Sequence, residues 1–215
     1  MEYNTTTNEH GLPHDPFLSC IVPRPIGWIT SQDRNGAVNL APFSFFNGVG
    51  VSPPQVMFCS IGEHAQGGPK DSVRNVEETG EFVVNVVSWA LREQMNLTSA
   101  YVARGVNEAE LAGLEMEPSR WVKPPRVKAS PIHLECRYLV TLRLPWTNPT
   151  AASAIVIGTV IGVHIQDEVL RDGLVDITKV RPVARLGYMD YAVIDETFTM
   201  RRPPIGGTGF HLNRT

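Results

Sequence analysis

The sequence predicts a mainly β fold, a barrel with a few peripheral helices, and three observations carry that reading. Runs of β-branched and aromatic residues are short and are broken by Gly, Pro, Asn and Asp. Gly 18 and Pro 17 in 215 residues supply turns for many such strands while staying below the level of low complexity. Helical periodicity is confined to brief inserted stretches, the pattern of a barrel with helical decoration. The length is that of one domain, expected over 1–215, able to bury a core without disulfide or metal staples.

Residues 1–12 are polar and turn-rich and read as a flexible segment. Ile26 to Ser31 reads as the first strand, followed by a Gln32–Gly36 turn and a second strand from Ala37 to Phe46. Asn35-Gly36 is a hairpin signal because both residues tolerate positive φ. Gln55 to Ile61 is the third strand, set off by Ser52-Pro53-Pro54, and the loop Gly62 to Pro69 follows it. Lys70 to Thr79 reads as a helix with Val73 and Val76 on one face and Gly80 as its stop. Glu81 to Val87 is a fourth, β-branched strand. Ser88 is placed to cap a helix from Trp89 to about Ser99, and a second helical patch covers Asn107 to Gly113. Pro118 to Pro131 reads as extended connection. His133 to Leu144 and Ala154 to Ile165 are the longest strands, and the second is dense enough in Ile and Val to be central and buried. Asp167 to Val183 reads as loop, Ala184 to Met200 as a last hairpin, and 201–215 as an extended arm.

Composition excludes several classes. Lys+Arg 19 against Asp+Glu 22 leaves a net charge of −3, without the basic stripe that nucleic acid demands. No segment has the apolar length of a membrane helix, and no basic-then-apolar start marks a secretory signal. A cytoplasmic location is expected. Cys20, Cys59 and Cys136 are far apart and odd in number, which fits a reducing compartment. The six histidines show no metal spacing, and no metal is expected. Gly62 to Gly67 has the glycine spacing of a phosphate loop, but Gly68-Pro69 stand where Lys and Ser/Thr are needed. Gly48-Val-Gly50 lacks the third glycine and the following helix of a dinucleotide fingerprint.

The informative stretch runs from Arg24 to Asn75. Thr30-Ser31 and Cys59-Ser60 end strands with hydroxyl and thiol groups, and Pro42 removes a ladder donor within Asn39-Leu40-Ala41-Pro42-Phe43-Ser44. Lys70-Asp71-Ser72 opens a helix. Strand-end hydroxyls, a lysine and a helix N-terminus together suit an anionic ligand. His164 alternates with Val163 and Ile165 and is placed to face a site.

These residues carry a resemblance. Arg24 to Ser31, Asp33, Gly36, Asn39 to Ser44, Pro53-Pro54, Lys70-Asp71-Ser72 with Asn75, and Phe82 to Asn85 resemble the flavin reductase-like, FMN-binding split-barrel family, which includes flavoredoxin and the reductase components of two-component monooxygenases. Gly162-Val163-His164 and Arg185-Leu186-Gly187 with Tyr188 and Tyr191 extend the match, which covers about Pro13 to Arg201. It implies a six-stranded Greek-key split barrel that binds FMN non-covalently and works as a homodimer. It implies that Asn39, Leu40, Ala41, Pro42, Phe43 and Ser44 lie along the isoalloxazine, mostly through backbone groups. Thr30, Ser31, Cys59, Ser60, Lys70, Asp71 and Ser72 would hold the ribityl chain and phosphate. Trp28 stands where smaller residues are common and would shape one flavin face. Arg24, His164, Arg185 and Tyr191 are the candidates for the substrate face. The implied activity is NAD(P)H-dependent reduction of flavin at N5, chemistry that belongs to the cofactor. The alternative is a flavoredoxin-like electron carrier that serves a protein acceptor and does not use free nicotinamide; a remoter one is a binding module without redox chemistry.

Overall fold

The computed structural model describes residues 1–201 and 203, so the arm expected over 201–215 lies almost wholly outside the described residues. Among the described residues fourteen strands are formed: β1 (Arg24–Pro25), β2 (Gly27–Gln32), β3 (Val38–Phe43), β4 (Phe46–Val51), β5 (Pro54–Ile61), β6 (Glu81–Val86), β7 (Met116–Glu117), β8 (Arg126–Val127), β9 (Ile132–Leu144), β10 (Ser153–Ile165), β11 (Leu170–Arg171), β12 (Leu174–Val175), β13 (Val183–Arg185) and β14 (Tyr191–Val193). The helices are α1 (Asp71–Thr79), α2 (Arg92–Leu97), α3 (Glu108–Leu111) and α4 (Ile177–Val180).

Seven strands pair antiparallel in the order β3-β2-β6-β9-β10-β5-β4. Only Ser44-Phe45 separates β3 at one edge from β4 at the other. Seven flat strands would hold their edges about 29 Å apart, and two residues reach only about 7 Å, so the sheet must roll into a barrel. Phe43 of β3 meets Phe58 of β5 with ring centroids 4.8 Å apart across the closure. Six strands are implied by resemblance and seven are paired, because the stretch Ala37 to Phe46 breaks at Ser44-Phe45 and its continuation joins the opposite edge.

The barrel interior is filled by Ile29, Phe43, Phe58, Phe82, Val84, Cys136, Val156 and Val160, with Val73 and Val76 of α1 joining this core. A second core on the outer side of β2 and β3 packs Trp28, Leu40, Leu91, Met95, Ala109 and Val183. β2 is therefore covered on both faces. The turn before β3 is closed by Asp33, whose Oδ1 accepts from the N–H of Asn35 and of Ala37 at 2.8 Å each, with Gly36 at φ +88°. Gly80 ends α1 at φ +78° and donates to the Val76 carbonyl at 2.9 Å, the expected stop.

Two expectations are corrected. Ser88 is extended, bridges Pro182 and makes no capping side-chain bond, so the helix expected from Trp89 to Ser99 splits into a 3-10 turn, Trp89–Leu91, and the short α2. β10 does lie inside the sheet, but one face only is covered; Ile161 and Val163 remain exposed. A barrel wall has an inside and an outside, and nothing in the described chain covers this outside. Among the described residues no helix is long and apolar enough to cross a membrane.

Candidate functional site

The end of β3, the loop 62–69, the start of α1 and the segment 98–103 surround two adjoining hollows, and a third lies beside them. The first, about 380 Å³, is lined by Asn39, Ala41, Pro42 and Phe43, by Lys70, Asp71 and Ser72, and by Thr98 to Ala103. The second, about 610 Å³, runs over Ser44, Phe45, Cys59 and Ile61. The third, about 150 Å³, reaches Ser60, Arg143 and Trp146. All three meet at Glu63 and Lys70. The first two fall in the size range of cofactor sites.

Local folding explains the lining. β3 is an edge strand, so Pro42, which has no N–H to give a ladder, is tolerated there. Leu40 turns its N–H away from β2 and onto Glu108 Oε2 at 2.9 Å. Alternate residues of an edge strand share a direction, so the Pro42 carbonyl, like the Leu40 N–H, faces away from β2, with no N–H of its own beside it. Glu108 is buried in the wall of the first hollow, and burial pushes its carboxyl above the ordinary range despite the Leu40 N–H.

Lys70 precedes α1 at the N-cap position, where a lysine has no oxygen to cap with, and no side chain caps the helix. The first turn of α1 therefore offers backbone N–H groups beside an ammonium, a natural anion site. Burial pulls the Lys70 ammonium below its ordinary pKa. Asp71 would oppose an anion, but it is neutralised by Arg74 at 3.2 Å and by a short ion pair with Arg104. Arg104 also donates to the carbonyls of Gly67 at 2.6 Å and Pro69 at 3.0 Å, fastening the loop to the helix start. Ser60 Oγ is buried and has no partner among the described residues. An orphaned hydroxyl beside a half-buried lysine and an uncapped helix fits the phosphate and hydroxyl-bearing tail of a flavin mononucleotide.

The residues expected from sequence are distributed unevenly. Asn39, Ala41, Pro42, Phe43, Ser44, Cys59, Ser60, Lys70, Asp71 and Ser72 all line the connected hollows. Trp28, Thr30, Ser31 and Leu40 do not. Trp28 is fully buried, with Nε1–H donated to Thr98 Oγ1 at 2.8 Å, so it shapes no exposed ring face. Thr30 accepts from Asn85 Nδ2 at 2.8 Å and Ser31 from Asn75 Nδ2 at 3.3 Å, which directs both hydroxyls into the interior. The reason is common to all four: β2 and Leu40 lie between the two cores.

His164 stands elsewhere, opposite His133 on β9 with rings 5.4 Å apart, in a hollow with Glu117, Arg126 and Lys128. Arg24 and Arg185 line none of these hollows, and Arg24 touches two lining residues of the second, Leu18 and Phe45. Arg24 donates to the carbonyls of Leu18 at 2.6 Å, Ile21 at 2.7 Å and Leu186 at 2.8 Å, and lies 5.7 Å from the Phe45 ring. Burial, and then Arg185, lowers its pKa. Arg185 stacks on Tyr191 at 4.4 Å and donates to the Tyr188 carbonyl. Sequence reasoning missed Glu108, Arg104 and Tyr101. Only Glu108, an acid beside a helix start, left a local trace.

Comparison with known proteins places the fold. Residues 18–184 match the flavin reductase like domain. A relative from Halalkalibacterium halodurans is 37% identical over 189 residues, covering 88% of this chain and 90% of its own. Nitrilotriacetate monooxygenase component B from Bacillus cereus superposes with a TM-score of 0.84 at 29% identity, over 93% of this chain and 98% of its own. The flavoredoxin of Desulfovibrio vulgaris shares the fold, with a TM-score of 0.71 at 21% identity over 85% and 92%. The split barrel and the match over most of the chain lead to one assignment: the chain belongs to the flavin reductase-like family.

Proposed function

We propose that the protein is a cytoplasmic FMN-binding oxidoreductase that takes hydride from NAD(P)H onto the flavin, and that it works as a homodimer. The observation that carries the reading is the meeting of Lys70, the uncapped start of α1 and the orphaned Ser60 hydroxyl at one end of hollows whose other wall is the β3 edge. An anion-holding end joined to a flat backbone wall matches a ligand with a phosphate tail and a planar hydrogen-bonding ring. The relative of known structure named as a monooxygenase component supports a role in supplying reduced flavin.

The chain's own part in the chemistry is holding and orienting. Lys70 and the α1 amides bind the phosphate, and Ser60 and Ser72 are placed for the hydroxyls of the tail. The outward carbonyl of Pro42 accepts from a ring N–H, and Glu108 keeps that strand edge in place. When bound, FMN supplies the hydride-accepting nitrogen, so no acid–base pair is needed from the protein. Phe43, Phe45 and Ile61 provide the apolar floor that limits water around the ring.

The test is a titration of purified protein with FMN, read by the visible flavin band and by co-elution, followed by NADH and NADPH oxidation under air. Uptake with nicotinamide turnover is expected. Failure to take up FMN would overturn the cofactor assignment. Uptake with reduction by a protein donor, and none by NADH or NADPH, would make the protein an electron carrier.

A further inference from the structure

Tyr101 is 88% exposed, an unusual place for a large aromatic ring, and it lines both the first and the second hollow. Pro42 and Phe43 of the strand wall border both hollows as well. Tyr101 stands in the middle of the stretch from Ser99 to Ala103, which has no helix or strand but is fixed at both ends. At one end, Thr98 Oγ1 accepts from the buried Trp28 indole at 2.8 Å and donates to the Met95 carbonyl at 2.8 Å. At the other, the Arg104 backbone N–H donates to Gln66 Oε1 at 3.1 Å and its guanidinium fastens Gly67, Pro69 and Asp71. Two anchored ends hold the segment across the hollows while leaving the central side chain unpacked.

The ring has one neighbour of note. The Lys70 ammonium lies 5.5 Å from its centroid, a cation–π distance. Lys70 borders all three hollows, so this contact ties the ring to the anion-holding end of the site. A tyrosine presents apolar faces that gain most when set against another planar system.

The geometry points to Tyr101 as an aromatic partner of the bound flavin, stacking on one face of the ring whose edge meets β3 and leaving the other face to the nicotinamide. This rests on the FMN reading above and adds a residue to it. Stacking is sequence-tolerant in chemical terms, since any planar heteroaromatic ring has a π face, and such contacts are worth about 1–3 kcal/mol per ring. Removing this one is therefore expected to weaken FMN binding about tenfold. Stacked tyrosine also quenches flavin emission by electron transfer at contact distance, which gives a readout independent of turnover.

The experiment compares the parent protein with Tyr101→Ala and Tyr101→Phe. FMN affinity is measured by the shift of the visible band, and the emission of the bound flavin is measured at saturation. The expected result is about tenfold weaker binding with several-fold brighter bound flavin in Tyr101→Ala. Tyr101→Phe, which keeps the planar face, should hold its affinity close to that of the parent. Bound flavin equally bright in the parent and in Tyr101→Ala, at unchanged affinity, would overturn the stacking. Parent protein that binds no FMN overturns the underlying reading instead, and the two failures are told apart by the parent's titration alone. Because Tyr101 is exposed, Tyr101→Ala removes no core contact, and its circular dichroism should match the parent's.

Discussion

His133 on β9 is fully buried, and its ring has a single hydrogen-bond partner. Nε2 lies 2.8 Å from the Val127 carbonyl and must donate to it, so Nδ1 is left as an acceptor without a partner among the described residues. Burial pulls its pKa down to about 4, more strongly than the Val127 carbonyl raises it. The charged and titratable groups that bear on it are Arg126 on β8 and His164 on β10, which disfavour the imidazolium, and Glu117 on β7, which favours it. The unfolded chain titrates near about 6.5, so between that value and about 4 it binds more protons than the folded chain. The contribution to stability is complete above about pH 6.5 and is lost as pH falls, by at most about 1.4 kcal/mol per pH unit. His133→Gln keeps an N–H for Val127 without a titrating ring. It should flatten the unfolding-midpoint curve in this window; an identical slope in variant and parent would assign the effect to other groups.

At the scale of elements, the loop 62–69 depends on Arg104 for its position against α1. One guanidinium serves two carbonyls and a carboxylate, a fork that an ammonium cannot reproduce. Arg104→Lys is expected to cost about 1–2 kcal/mol in denaturant unfolding, the larger charge-assisted values being discounted for partial exposure. Proteolytic nicking between Gly62 and Pro69 should rise with it; an unchanged midpoint and cleavage pattern would remove the clamp. This contact also marks the limit of what sequence could reveal. α1 was legible to within a residue, because Val73 and Val76 share its face and Gly80 supplies the left-handed stop. β5, β9 and β10 were legible from β-branched density between turns. The lining of the hollows was legible where strand ends, a proline and a helix start are local signals, as at Pro42, Ser60 and Lys70. Partner choice was not. The hydroxyls of Ser31 and Thr30 look alike in sequence to that of Ser60, yet they meet Asn75 and Asn85, 44 and 55 residues away. The break at Ser44-Phe45 and the strap carrying Tyr101 have no periodicity at all, since both are set by which distant edge the chain must reach.

For the whole molecule, the open question is what covers the outer face of β9 and β10. β10 reads as a strand buried on both sides, with Ile or Val at most positions, but only Val156 and Val160 turn into the core. Ile161 and Val163 are 39% and 50% exposed, and Val140, Leu142 and Leu144 on β9 are 37%, 47% and 41% exposed. The register sets Ile155 opposite Leu142 and Ile157 opposite Val140, so these side chains form one patch across two strands. Contiguous apolar surface of this kind is rare on a monomer and marks an interface. A second copy is the occupant the proposed homodimer requires, because an apolar patch without a charge pattern is self-complementary about a two-fold axis. Such an interface would bury about 800 Å² on each copy. The protein should therefore run at twice the chain mass in light scattering after gel filtration. Leu142→Lys and Val163→Glu place charges that stay hydrated in a single copy and lose their water between two, so each should shift the species to the chain mass while the barrel stays folded. Parent protein at the chain mass, or variants that remain at twice that value, would show that the dimer, if formed, uses another face.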